Sequence, residues 1–109
     1  MSPPPERRGS GKAGPAAAGA RATVRTVTVG NRRGLHARAA AKFVKLAGSF
    51  SAEITVANNG NVVSGISIMG LMMLAAGPGC RLTIRARGTQ ADDAAAALAD
   101  LVESKFAED

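Results

Sequence analysis

The chain has 109 residues, 46% hydrophobic and 20% charged, which suits one globular domain and is too short for two. Its only aromatic residues are three phenylalanines, so the core must be small and built from Val, Ile, Leu, Met and Ala. The net charge of +6 invites a polyanionic partner, but residues 1–22 carry Arg7, Arg8, Lys12 and Arg21 against Glu6, half of that surplus.

Residues 1–22 are rich in Pro, Gly, Ala and Arg without periodicity, and a segment of this kind is expected to be a disordered basic tail. Arg7-Arg8 is followed by Gly, Ser, Lys and Ala rather than an apolar stretch, so no export signal is expected. Nor does any run approach the ~18–20 apolar residues of a membrane span, which leaves the cytoplasm as the expected compartment and no membrane as a partner. The one cysteine, Cys80, cannot make an internal disulfide. It lies in a strand-like run and is expected to be a buried structural thiol in a reducing compartment.

From Thr23 to Asp109 a single folded domain is expected. "TVRTVTV" is β-branched and reads as a strand, with Val27 and Val29 on one face and Arg25 on the same parity. "NRRG" is a loop. "HARAAAKFVKLAG" places Ala40, Phe43, Val44 and Ala47 on one helical stripe and Arg38, Lys42 and Lys45 on the other, with Gly48 as the stop. "AEITVANNGNVVSG" is a hairpin: Ala52, Ile54 and Val56 alternate with polar residues, and Asn59-Gly60 turns. "SIMGLMMLAAGPG" is a short helix opened by Ser67 and closed by Gly-Pro-Gly.

"CRLTIRARG" alternates cleanly, with Leu82, Ile84 and Ala86 inward and Arg81, Thr83, Arg85 and Arg87 outward. In the last helix Thr89 is the expected N-cap, Asp92 and Asp93 complement the dipole, and Ala94, Leu98, Leu101 and Val102 form the buried stripe. The element order is therefore β-α-β-β-α-β-α, an α+β chain most economically folded as a four-stranded sheet with helices on one face.

His36 is the only histidine, and it falls at the start of the first helix. The first N–H groups of a helix lack internal partners and, with the aligned peptide dipoles, form an anion site. Ala37 and Arg38 would supply such backbone groups, Arg38 adds a guanidinium suited to phosphate oxygens, and Gly34 allows close backbone approach. A neutral imidazole there can accept a phosphoryl group on a ring nitrogen. The same placement also suits a plain cap or surface histidine, and geometry alone leaves both open. A metal site is not expected, because there is no second histidine, one distant cysteine and no carboxylate cluster.

The residues themselves go further. "GLHARAAAKFV" closely resembles the active-site signature of HPr, the histidine phosphocarrier of the bacterial phosphotransferase system. "SGISIMGLMMLAA" resembles the regulatory-serine segment of the same family, and the separation and element order agree from about Thr23 to Phe106. The resemblance implies an open-faced β-sandwich: a four-stranded antiparallel sheet with three helices on one face. It implies that His36 is phosphorylated on Nδ1 by enzyme I, ultimately from phosphoenolpyruvate, and passes the group to an enzyme IIA-type acceptor. Arg38 then matches the arginine that contacts the phosphoryl group, and Ser67 the serine phosphorylated by HPr kinase/phosphorylase in lineages that have it. It further implies a monomeric carrier that is not an enzyme in the strict sense and has no cofactor.

There are departures from the family pattern. Ala39 stands where many members have proline, and Ile66 where Lys or Thr is common. Ala39 and the Ile-Ser-Ile-Met-Gly segment resemble proteobacterial members, in which regulation without sugar uptake is common; a regulatory relay, such as the nitrogen-related branch, is therefore expected before a sugar-transport one.

"IMGLMML" is apolar nearly all round, so Ile68 or Leu71 with Leu74 should face the core while some of Met69, Met72 and Met73 stay exposed. A buried Met-rich core helix and a partner surface are equally compatible with that pattern. The resemblance favours the surface, with Phe43 of the histidine helix alongside the methionines. Ser67 is by position an N-cap. Two other classes remain as alternatives: an adaptor of the same fold without phosphotransfer, and a basic nucleic-acid-binding module using Arg81, Arg85 and Arg87. The lack of Trp and Tyr argues against the second, and no nucleic acid is expected as a partner.

Overall fold

A computed structural model describes residues 22–107. The expected disordered tail lies, apart from Ala22, outside the described residues. Strand β1 (Ala22–Thr28) and strand β4 (Arg81–Arg87) pair antiparallel, and β4 also pairs antiparallel with β2 (Glu53–Asn58), which in turn pairs with β3 (Asn61–Ser64). The sheet order is β1-β4-β2-β3. The last long strand thus inserts between the first two, and β2 and β4 are each reached through a helix.

The alternation of β4 sets the two faces. Leu82, Ile84 and Ala86 are buried while Arg81, Arg85 and Arg87 are exposed. Val27 on β1 and Ile54 and Val56 on β2 join the buried side, and Arg25, opposite Ile84 in register, remains exposed on the edge strand. Asn59 (φ 52°) and Gly60 (φ 83°) are both left-handed, as a two-residue type I′ hairpin requires.

Three helices cover the buried face: α1 (Ala37–Ala47), α2 (Ile68–Met73) and α3 (Ala91–Glu103). Helix α1 buries Ala39, Ala40, Phe43 and Ala47, with Val44 half-buried, so the core stripe is rotated slightly from the expected one. Helix α3 buries Ala91, Ala94, Ala95, Leu98, Ala99 and Val102, whereas Leu101 is only partly buried. Its alanines let the helix backbone lie close to the sheet. Cys80 is half-buried rather than buried, packs against the core, and its carbonyl accepts the Val29 N–H at 2.8 Å.

Two helix boundaries differ from expectation. Thr89 does not cap α3. The N-cap is Gln90, which makes no side-chain cap bond. Instead Gln90 Oε1 accepts from the Ser51 N–H at 2.7 Å and Thr89 Oγ1 donates to the Ser51 carbonyl at 3.4 Å. The loop before β2 has its own backbone groups to satisfy, and it draws both side chains away from the helix end. Helix α2 closes before Gly77-Pro78-Gly79, through Leu74 and a left-handed Ala75 (φ 52°). After α3, Lys105–Ala107 form a left-handed turn that buries Phe106, and Lys42 Nζ donates to the Phe106 carbonyl at 2.7 Å.

Candidate functional site

The approach to α1 is a tight turn whose two ends are both held. The Gly34 N–H donates to the Asn31 carbonyl at 3.2 Å, and Asn31 Nδ2 donates to the Gly34 carbonyl at 2.9 Å. Gly34 takes φ +63°, with an ideal Cβ position only 2.3 Å from the Ala76 carbonyl oxygen. The next residue, buried Leu35, donates its N–H to that same Ala76 oxygen at 2.9 Å. The loop before α1 is in this way fastened to the loop after α2.

His36 follows as the N-cap of α1, with extended backbone (φ −78°, ψ 178°). Its carbonyl accepts the first intrahelical bond, from Ala40 N–H at 2.9 Å, and its Nδ1 accepts the Arg38 N–H at 3.2 Å. Acceptance at Nδ1 means that the lone pair is on Nδ1. The ring is half-buried, while Ala37 and the Arg38 side chain are exposed. Of the two backbone donors expected to face a phosphate, that of Arg38 is therefore engaged by the imidazole itself. An anionic group on Nδ1 would compete for that donor at the positive end of the helix.

Helix α1 packs against α2. Ser67 is the N-cap of α2, as the sequence predicts, and its Oγ accepts the Gly70 N–H at 2.9 Å. Replacing Ser67 with alanine should remove that bond and lower stability by about 1 kcal/mol, read as a fall of several degrees in thermal midpoint. A midpoint unchanged within a degree would show that the cap contributes nothing.

Leu71 and Leu74 face the core. Met69 (72% exposed) and Met73 (75%) stand in solvent, with Met72 and Ile68 less exposed at 43% and 42%. Val62 and Ile66, at 64% and 63%, extend the apolar surface onto β3 and the turn before α2. A shallow depression of about 260 Å³ lined by Asn61, Val62, Val63, Met73 and Leu74 connects strand and helix. Phe43 does not belong to this surface. It is fully buried against the core, because a phenyl ring on the inner face of α1 fills the space between helix and sheet. The expectation that it contacts a partner is corrected accordingly.

Sequence reading also missed Asn31, which is fully buried and whose Oδ1 has no hydrogen-bond partner among the described residues. The available signal was an Asn three residues before a Gly, the pattern of a type I turn. Arg81, Arg85 and Arg87 lie on the sheet face that no helix covers. No aromatic residue stands there to stack a base: Phe43 and Phe106 are buried and Phe50 is partly buried. Among the described residues no group of three or more His, Cys, Asp or Glu could hold a metal ion, and no helix is long and apolar enough to cross a membrane.

Comparison with known proteins agrees with the fold and with the family that the sequence resembles. The family model for the PTS HPr component phosphorylation site matches residues 23–104. The phosphocarrier protein HPr of Pseudomonas aeruginosa is 47% identical over 75% of this chain and 92% of its own length. The phosphocarrier protein NPr of Shewanella violacea is 45% identical over 77% of this chain and 92% of its own. The crystal structure of HPr from Thermoanaerobacter tengcongensis superposes with a TM-score of 0.76 at 41% identity, covering 80% of this chain and 98% of that one.

Proposed function

Because the chain belongs to the HPr family of the phosphotransferase system, we propose that it is a cytoplasmic, monomeric phosphocarrier that accepts a phosphoryl group on His36 Nδ1 from enzyme I and passes it to an enzyme IIA-type acceptor in a regulatory relay. The observation that carries the reading is the N-cap placement of His36, with its Nδ1 held by the Arg38 N–H. That bond keeps the lone pair on the nitrogen that must attack phosphorus.

The step has a simple balance. The Nδ1–P bond forms as the bond between phosphorus and the donor breaks, and the reverse exchange delivers the group to the acceptor. As the phosphoryl group arrives, its oxygens take over the Arg38 N–H from the ring and accept from the Ala37 N–H, and the Arg38 guanidinium balances their charge. A charge-stabilising surface of this kind suits a group that must be handed on, since transfer depends on positioning and electrostatics rather than on an enclosed pocket. The exposed Met69, Met72 and Met73, with Ile68, Ile66 and Val62, form an adaptable apolar docking surface for both partners. Phosphorylation of Ser67 by an HPr kinase would place a dianion at the margin of that surface and weaken docking without unfolding α2.

The test is labelling by enzyme I, Mg2+ and phosphoenolpyruvate, read by intact mass and phosphohistidine NMR. The wild type should gain one acid-labile phosphate. His36→Asn, which keeps a good cap acceptor but removes the nucleophile, should gain none while melting within a few degrees of the wild type. Labelling of the Asn variant would place the acceptor elsewhere.

A further inference from the structure

We propose that Asn31 is a positioning residue for phosphoryl transfer: its buried carboxamide holds the Gly34 peptide so that His36 keeps the N-cap geometry from which the reaction starts. The inference rests on the phosphocarrier reading above. Asn31 has no exposure to solvent, and its backbone and side chain together bond both polar groups of one residue. Its backbone oxygen takes the Gly34 N–H at 3.2 Å, and its Nδ2 gives a hydrogen bond to the Gly34 carbonyl at 2.9 Å.

The consequence runs along three consecutive residues. Gly34 is held at φ +63° against the Ala76 carbonyl. With the Gly34 carbonyl pinned, the Gly34–Leu35 peptide plane is set, and the Leu35 N–H meets the Ala76 oxygen at 2.9 Å. The chain then enters His36 with its ring nitrogen over the Arg38 N–H. Without the Nδ2–H the Gly34 carbonyl would lose its donor, the peptide plane could rotate, and the imidazole would be displaced. A displacement of an ångström at a nucleophile lowers the rate far more than it lowers stability.

The other end of the same amide sharpens the inference. Asn31 Oδ1 is buried and has no hydrogen-bond partner among the described residues. A buried, unpaired acceptor is unfavourable, and an apolar side chain would avoid it only by leaving the Gly34 carbonyl without its donor. The amide thus gives up the pairing of its own oxygen while it holds one specific carbonyl. Leucine is branched at the same carbon but bulkier, and it cannot donate to Gly34; it removes the unpaired Oδ1 and leaves the Gly34 carbonyl without its donor, so the loss of that one bond is read in the kinetics of the folded protein.

The experiment compares wild type, Asn31→Leu and Asn31→Ala by thermal unfolding, by kcat and KM of enzyme I-dependent phosphorylation with the carrier varied, and by ¹⁵N NMR of the His36 ring. For Asn31→Leu we expect a lower midpoint and, referred to the folded fraction, an unchanged KM, a kcat at least tenfold lower and altered His36 ring signals. Asn31→Ala should show the same kinetic loss when referred to the folded fraction, and it serves in place of the leucine variant should that one not fold. An unchanged kcat, or ring signals identical to the wild type, would overturn the proposal. Failure of the wild type to take phosphate would sink the carrier reading instead, and the ring signals alone would then decide whether Asn31 positions His36.

Discussion

Alanine at Gly34 is expected to destabilise the protein by about 2–5 kcal/mol, the sum of left-handed backbone strain of roughly 1–2 kcal/mol and overpacking of roughly 1–3 kcal/mol. The thermal midpoint should fall by roughly 8 °C or more, at about 4–8 °C per kcal/mol for a domain of this size. The physical cause is specific. A Cβ at this position would sit 2.3 Å from the Ala76 oxygen and 2.9 Å from Gly77 Cα, both backbone atoms that no side-chain rotation can move aside. Gly60 provides the comparison. It too has positive φ, at +83°, but a Cβ there meets nothing within 4 Å. Alanine at Gly60 should therefore show the strain alone, roughly 1–2 kcal/mol. Equal losses at the two sites in urea or thermal melts would mean that the loop before α1 and the loop after α2 are not locked together.

Truncating Phe43 to alanine should destabilise by about 3–5 kcal/mol, because the ring is fully buried between α1 and the sheet and its removal leaves a cavity in a core with little aromatic volume. Phosphorylation of the fraction that remains folded should proceed with the wild-type KM for the carrier. The opposite pattern, a raised KM with little change in unfolding midpoint, would return Phe43 to the docking surface. Truncating exposed Met69 or Met73 belongs to that second pattern, since neither fills the core.

Much of the fold was legible because neighbouring residues carry it. The alternation in β4, the Asn59-Gly60 turn and the apolar spacing of α1 are each set by a few adjacent side chains and the pleat or helical period. The same holds for the caps His36 and Ser67, whose roles depend on backbone groups two or three residues away. The signature around His36 was enough to imply the family before any contact was known.

What the local pattern could not supply was every choice settled by partners distant in the chain. Thr89 is a good cap in isolation, yet the loop at Ser51 competes for it and for Gln90 across almost 40 positions. Phe43 and the α2 methionines are all apolar residues on short helices. Only the packing of α1 and α2 over the sheet separates the ring that fills the core from the thioethers left in solvent. Asn31 looked like one more loop residue until folding closed the turn to Gly34 and buried its amide. The chemistry-bearing residues of this chain are thus a matter of local sequence, whereas which of their neighbours hold them, and which face a partner, follows from long-range packing that determines solvent access and competing hydrogen bonds.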